Sequence, residues 1–330
     1  MLRSPLLPDL IRLLALPIFG WAAWKDYSTR RVPNKTWLPI VGLAFTAFLL
    51  DLSQIAGNQA VYRETPHFFI ATIISITVLI PFGYLAWYTK WLGGADAKAI
   101  MVFSFLYPIV PHYAVPAVFT QLGAPRAFPL LFTEYGVFSF TILLNVVIIG
   151  ITFPFGLAIW NALHGNFSPF MFVGRPVDIQ NITNSRGVPI QTFFDGSEEG
   201  VDIGVLKKYV NWRETTVEKL IDDSSSYRSF SIGENPGTTA ETDTPISEPP
   251  LDESGGGDPW GAVVFLQESA FPSSRITPGQ LRESLDYLSS HPHETVWISP
   301  GIPYMVPIVL GLSIALTMGN LILVFTVYLF

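Results

Sequence analysis

The sequence predicts an α-helical integral membrane protein with six transmembrane helices and a cytoplasmic insert between the fifth and sixth. Three observations carry this expectation. Hydrophobic residues make up 49% of the 330 positions and charged residues only 14%, with a mean hydropathy of +0.40; soluble domains carry about 25% charged residues. Six apolar stretches can be drawn, on the scale of the roughly 20 residues that a spanning helix needs. The charge is also segregated. Positions 161–299 hold 20 acids and 9 bases, whereas the remainder holds 6 acids and 10 bases.

The first apolar stretch runs from Leu6 to Trp24. Its end, Trp21-Ala22-Ala23-Trp24-Lys25, lacks the small-x-small pattern of a cleaved signal, so it reads as a retained helix. The second is Trp37–Leu50, extendable through Asp51 to Ala56, and the third is His67–Trp87. The fourth starts at Asp96 and runs towards His112, with Pro108 and Pro111 placed to end or kink it. The fifth is Tyr135–Leu163 and the last Pro300–Phe330. Prolines 17, 39, 81, 154 and 307 fall inside these stretches, which membrane helices tolerate when neighbours satisfy the freed carbonyls. The division is thus a membrane domain over 1–163, an acidic insert over 164–299 and a sixth helix over 300–330.

Orientation follows from basic residues in short loops. Lys25, Arg30, Arg31 and Lys35 lie between stretches one and two, and Lys90 and Lys98 flank the start of stretch four. The opposite loops hold only Arg63 and Arg126. The basic loops and the insert therefore belong to the cytoplasm and both termini to the outside, with Arg3 and Arg12 running against the pattern. The sequons at Asn34, Asn166 and Asn181 fall on the cytoplasmic side, where none is glycosylated.

Within the insert, Gly174-Arg175-Pro176 and Arg186-Gly187-Val188-Pro189 read as turns. Positions 224–259, rich in Ser, Thr, Gly, Pro and acids, read as a flexible linker. Thr277–Ser290 carries Leu281, Leu285 and Leu288 at helical spacing and reads as an amphipathic helix packed within the insert. The acidity keeps the region soluble and argues against a nucleic-acid partner.

Composition narrows the chemistry. There is no cysteine, hence no disulfide, thiol nucleophile or cysteine zinc site. The five histidines form no HExxH, and the pair His291 and His293 reads as a solvated turn, so neither a metal nor a cofactor is expected. Outside the insert the acids are Asp9, Asp26, Asp51, Glu64, Asp96 and Glu134. Four of these fall at the outer ends of stretches or in outer loops. Asp26 and Asp96 fall at the inner ends of stretches one and four, at matched depth, and a carboxylate at the hydrocarbon boundary is costly unless paired or functional.

Two carboxylates brought close share one proton. The ionised member can take a proton from water while the protonated one donates to a carbonyl, which hydrolyses a peptide bond without a covalent intermediate. Asp96 lies in Gly93-Gly94-Ala95-Asp96-Ala97-Lys98, where glycines permit unusual backbone angles and close approach. Helix dipoles favour Asp96 as base and Asp26 as acid; Lys25, Arg30 and Arg31 pull the other way, and the proton belongs to the pair. Each motif alone also reads as an ordinary helix cap or juxtamembrane loop. Their joint occurrence at one depth favours a catalytic role.

Three stretches resemble the archaeal prepilin and preflagellin peptidases, within the type IV prepilin peptidase group of GxGD-type membrane aspartic proteases. They are Asp26-Tyr27-Ser28-Thr29-Arg30-Arg31-Val32-Pro33-Asn34, Gly93-Gly94-Ala95-Asp96-Ala97-Lys98 and Trp297-Ile298-Ser299-Pro300-Gly301-Ile302-Pro303. The resemblance covers the first ~110 and last ~35 residues and says little about 167–294. It implies six membrane helices, catalytic Asp26 and Asp96, and an active-site loop of Gly93, Gly94, Ala95 and Lys98. It implies removal of the short basic leader of pilin-like or archaellin precursors, with membrane lipid as the other partner. Arg30 and Arg31 are candidates for substrate contact or positioning. Ala95 departs from the strict motif, which has glycine there. The absence of cysteine argues against the zinc-type domain of bacterial relatives.

Two other readings stand beside this one. A presenilin-like intramembrane protease would carry its first aspartate inside an apolar helix, whereas Asp26 adjoins a basic loop. A transporter or anchor would show repeated halves and acids at the midplane, and neither is evident.

Overall fold

A computed structural model describes residues 7–57, 65–132, 136–179, 182, 185, 187–190, 201, 203–228, 258–268, 276–291, 295–299, 301 and 303–329. The chain divides into two compact units, one of residues 1–153 with 302–330 and one of residues 154–301.

The first unit is helical. Helices α1 (Leu7–Leu13) and α2 (Ala15–Thr29) make one apolar stretch interrupted at Leu14. Helices α3 (Trp37–Ala56), α4 (Thr65–Tyr88) and α5 (Gly94–Leu106) follow. A short antiparallel pair, β1 (Tyr113–Ala114) and β2 (Ala127–Phe128), flanks α6 (Ala117–Gln121) and precedes α7 (Phe138–Leu163). Among the described residues four stretches are long and apolar enough to cross a membrane: Leu7–Thr29, Asn34–Ala56, Pro66–Tyr88 and Phe138–Leu163. Helix α5 is shorter and stops before Pro108, as the prolines predict.

The last stretch departs from expectation. It is not one helix but two, α13 (Met305–Thr317) and α14 (Leu321–Leu329), broken at Gly319, whose φ is +91°. A Cβ there would collide with the Leu131 carbonyl, so glycine is required. The freed backbone is satisfied by protein groups, as apolar surroundings demand. Leu130 and Leu131 donate to the carbonyls of Thr317 (2.9 Å) and Met318 (3.1 Å). Buried Asn145 donates to Gly319 O (2.8 Å) and accepts from the Leu321 amide (3.1 Å).

The core of this unit joins α2, α3, α5, α7 and α13 through residues such as Phe19, Ile40, Phe103, Ile142 and Leu312. Small residues bring backbones together. A Cβ on Gly83 would lie 3.1 Å from the Ala97 carbonyl, and one on Gly311 would lie 2.8 Å from the Val146 nitrogen. Ser75 and Ser139 share a buried hydrogen bond of 2.6 Å between α4 and α7.

Away from the aspartate pair, Asp9, Arg12 and Asp51 are fully buried together. Arg12 pairs with both carboxylates and donates to Leu106 O at 2.6 Å. Tyr107 donates to Arg12 O (2.8 Å), and the His112 amide to Asp9 (3.2 Å). Arg12, which ran against the loop-charge pattern, is therefore an internal structural charge and carries no weight in that pattern.

The second unit holds a three-stranded antiparallel sheet of order β3-β5-β4, from β3 (Arg175–Asp178), β4 (Val188–Pro189) and β5 (Thr295–Ser299). The expected turn at 174–176 is instead the start of β3. This strand lies at the sheet edge, where Pro176 costs no internal ladder bond. Helices α8 (Ile203–Trp212), α9 (Val217–Asp222), α10 (Ser224–Arg228), α11 (Ala262–Glu268) and α12 (Pro278–Ser290) complete the unit. Thr277 and Gln280 form a capping box at α12, and Leu281, Leu285 and Leu288 are buried in the core with Tyr209, Trp260 and Phe265. Burial pushes the Tyr209 phenol up, so its hydroxyl stays protonated and donates to Trp260 O at 2.6 Å. Both ends of the expected linker 224–259 are folded: α10 occupies 224–228, and Asp258 accepts from the Val263 amide at 2.7 Å to cap α11. Positions 229–257 lie outside the described residues.

Candidate active site

Asp26 occupies the last turn of α2. The helix stops because Arg30 adopts a left-handed conformation (φ 55°) and donates its amide to Asp26 O at 2.8 Å. The chain then passes through Pro33 into a single 3-10 turn, Asn34–Thr36, that leads directly into α3. The Asp26 carboxylate accepts from the Met305 amide at 3.3 Å. Met305 opens α13, so the positive end of that helix faces the carboxylate. The Arg30 guanidinium also acts on Asp26.

Asp96 is the third residue of α5, behind the extended N-cap Gly93. The backbone amides of Gly93 and Asp96 at the start of α5 favour the charged form of its carboxylate. A Cβ on Gly93 would lie 2.8 Å from Asp96 Oδ2, which explains that glycine. At Gly94 an added Cβ would meet only the Trp87 indole at 3.7 Å, an ordinary contact. Ala95 lies in the first turn of α5 and packs on the core, so its methyl fits where the strict motif has glycine. Asp96 is 7% exposed, and its Oδ1 has no hydrogen-bond partner among the described residues. Asp26 and Asp96 lie within range of each other's charge.

Of the remaining candidates, Lys98 donates to Asn34 Oδ1 at 2.6 Å, tying the turn after Asp26 to the first turns of α5. Arg31 is exposed. Sequence reasoning missed the Met305 amide. Its only signal was the Trp297–Pro303 stretch just before it, to which the residues alone assigned no chemistry.

This is the architecture of a multi-pass helical membrane protein with one carboxylate in the last turn of α2 and another in the first turn of α5, within range of each other's charge. Residues 13–155 match the Type IV leader peptidase family and residues 168–321 match the Archaeal Peptidase A24 C-terminus Type II. Together the two matches span most of the chain and support an archaeal type IV prepilin peptidase. It is 28% identical over 136 residues to Prepilin peptidase EppA of Methanothermobacter thermautotrophicus, a match covering 41% of this chain. That match spans less than a third of the relative's length, 31%. No solved structure matches the chain.

Proposed function

We propose that the protein is an aspartic endopeptidase that removes the short basic leader of type IV pilin-like or archaellin precursors at the cytoplasmic face of the membrane. The observation that carries this reading is that Asp26 and Asp96 lie within range of each other's charge, with Asp26 held by the Met305 amide and Asp96 Oδ1 left without a partner among the described residues. The pair holds one proton. The ionised carboxylate takes a proton from water, whose oxygen attacks the scissile carbonyl, and the protonated carboxyl donates to the carbonyl oxygen. Collapse of the tetrahedral intermediate expels the amine, which takes up a proton from the pair.

Six spans, both termini outside and a cytoplasmic 164–299 insert suit this chemistry. Exposed Trp24, Tyr27, Tyr88 and Trp91 lie close in sequence to the aspartates, with Lys25, Arg30, Arg31 and Lys90 among them. Aromatic and basic residues of this kind favour a membrane–water boundary on the cytoplasmic side. A precursor whose apolar helix lies in the bilayer would present its leader there. Asp26 in a terminal helical turn beside exposed Tyr27 also disfavours the presenilin-like alternative.

Co-expression with a tagged pilin-like precursor bearing a Lys/Arg-Gly leader tests this through the gel shift on cleavage. Wild type should trim the precursor. Asp26→Asn and Asp96→Asn, at matched membrane levels, should lose about 10²- to 10⁴-fold in rate. Continued trimming by both variants would refute the catalytic assignment.

A further inference from the structure

The turn that follows Asp26 holds two polar side chains that the mechanism above does not use. Thr36 and Trp37 are 7% and 6% exposed. Thr36 Oγ1 and Trp37 Nε1, like Asp96 Oδ1, have no hydrogen-bond partner among the described residues. Burying a donor without an acceptor costs stability, so an unused indole N–H and an unused hydroxyl on adjacent residues call for a reason.

Their position supplies one. The Lys98–Asn34 bond fastens their turn to α5, two residues beyond Asp96. Trp37 belongs to the same core cluster as Ala22 and Ala23, about one turn before Asp26, Ala99, one turn after Asp96, and Met305. Its ring meets Phe19 edge-on at 6.2 Å, and Phe19 in turn meets Phe103 at 5.1 Å. Trp37 therefore packs on α2, the helix of Asp26, through Phe19, which in turn packs on α5, the helix of Asp96. Other helical threonines, Thr46, Thr72 and Thr77, satisfy their hydroxyls on the carbonyl four residues back, at 2.7–2.8 Å. Thr36 precedes the first full turn of α3 and makes no such bond. Both residues adjoin exposed positions, Lys35 and Leu38, so they lie just beneath the surface of the unit.

We infer that Thr36 and Trp37 are substrate-binding residues that grip the main chain of the peptide being cut. The indole N–H, which can only donate, takes a peptide carbonyl oxygen. The Thr36 hydroxyl takes a neighbouring main-chain group, while the scissile carbonyl faces Asp96 Oδ1. This rests on the peptidase reading above.

The test uses the full chain, purified in detergent, as Trp37→Phe and Thr36→Val. Thr36→Val keeps shape and removes the polar atom, whereas Trp37→Phe removes the N–H and also leaves a cavity in the core. A group that waits for substrate is a burden to the free enzyme, so Thr36→Val, which leaves no cavity, should melt at the wild-type temperature or higher; both variants are compared on cleavage. Each should cleave a pilin-like precursor with kcat/KM lowered about tenfold, mostly through a raised KM. The inference fails if Thr36→Val melts lower than wild type, as an internally bonded group would make it do, or if both variants cleave like wild type. A wild type that cuts no precursor brings down the peptidase reading and this inference with it.

Discussion

Gly93 sets how closely the Asp96 carboxylate folds back on its own helix start. Replacing Gly93 with Ala puts a methyl 2.8 Å from Asp96 Oδ2, too close for the carboxylate to keep its place. Gly93→Ala should therefore lower cleavage about tenfold or more while changing the melting temperature little, which kinetics and melting on one preparation would show. Asp26 and Asp96 were legible as candidates, because acids are scarce outside the insert and these two fall at the inner ends of the expected stretches one and four. What surrounds Asp26 was less so. An argument from the dipole of α2 sees only the helix that Asp26 belongs to, whereas the fold brings a second helix end, 279 positions away, onto the same carboxylate. A main-chain amide carries no mark in a sequence, and neither does a tryptophan N–H left without a partner.

At the scale of elements, the apolar stretches were legible because a helix in lipid must keep its backbone bonds internal and its surface apolar. The break in the last one was not. Gly319-Asn320 is an ordinary pair in sequence, and the break depends on the Leu131 carbonyl lying against it. Nor did the sequence reveal that Arg12 binds α1 to α3 and to the end of α5. Arg12→Met would leave Asp9 and Asp51 buried without their cation, at a cost of about 3–5 kcal/mol. A marked fall in melting temperature in detergent is expected, with substantial recovery when Asp9→Asn and Asp51→Asn are added. No fall with the single change would mean the cluster contributes nothing to the fold.

At the scale of the molecule, the polarity of 161–299 announced a separate unit, but not its sheet. The partners of β5 lie more than 100 positions before it, and pairing across such a separation leaves no local pattern. Orientation is open to a direct measurement, because a chain without cysteine reports cleanly on any cysteine introduced. Lys35→Cys and Leu122→Cys both substitute exposed residues. With a membrane-impermeant thiol reagent, the first should react only in inside-out vesicles and the second only in right-side-out ones. The reverse pattern would turn the protein over and put the aspartates outside.

Gly311 lies against the α7 backbone with no room for a side chain. It therefore works as a depth stop. Helix α13 can slide along α7 only as far as that contact allows, and Met305, six residues or about 9 Å up the helix, is held at a fixed height. The donor that meets Asp26 is thus levelled from deep inside the bundle, by a residue that carries no functional group at all.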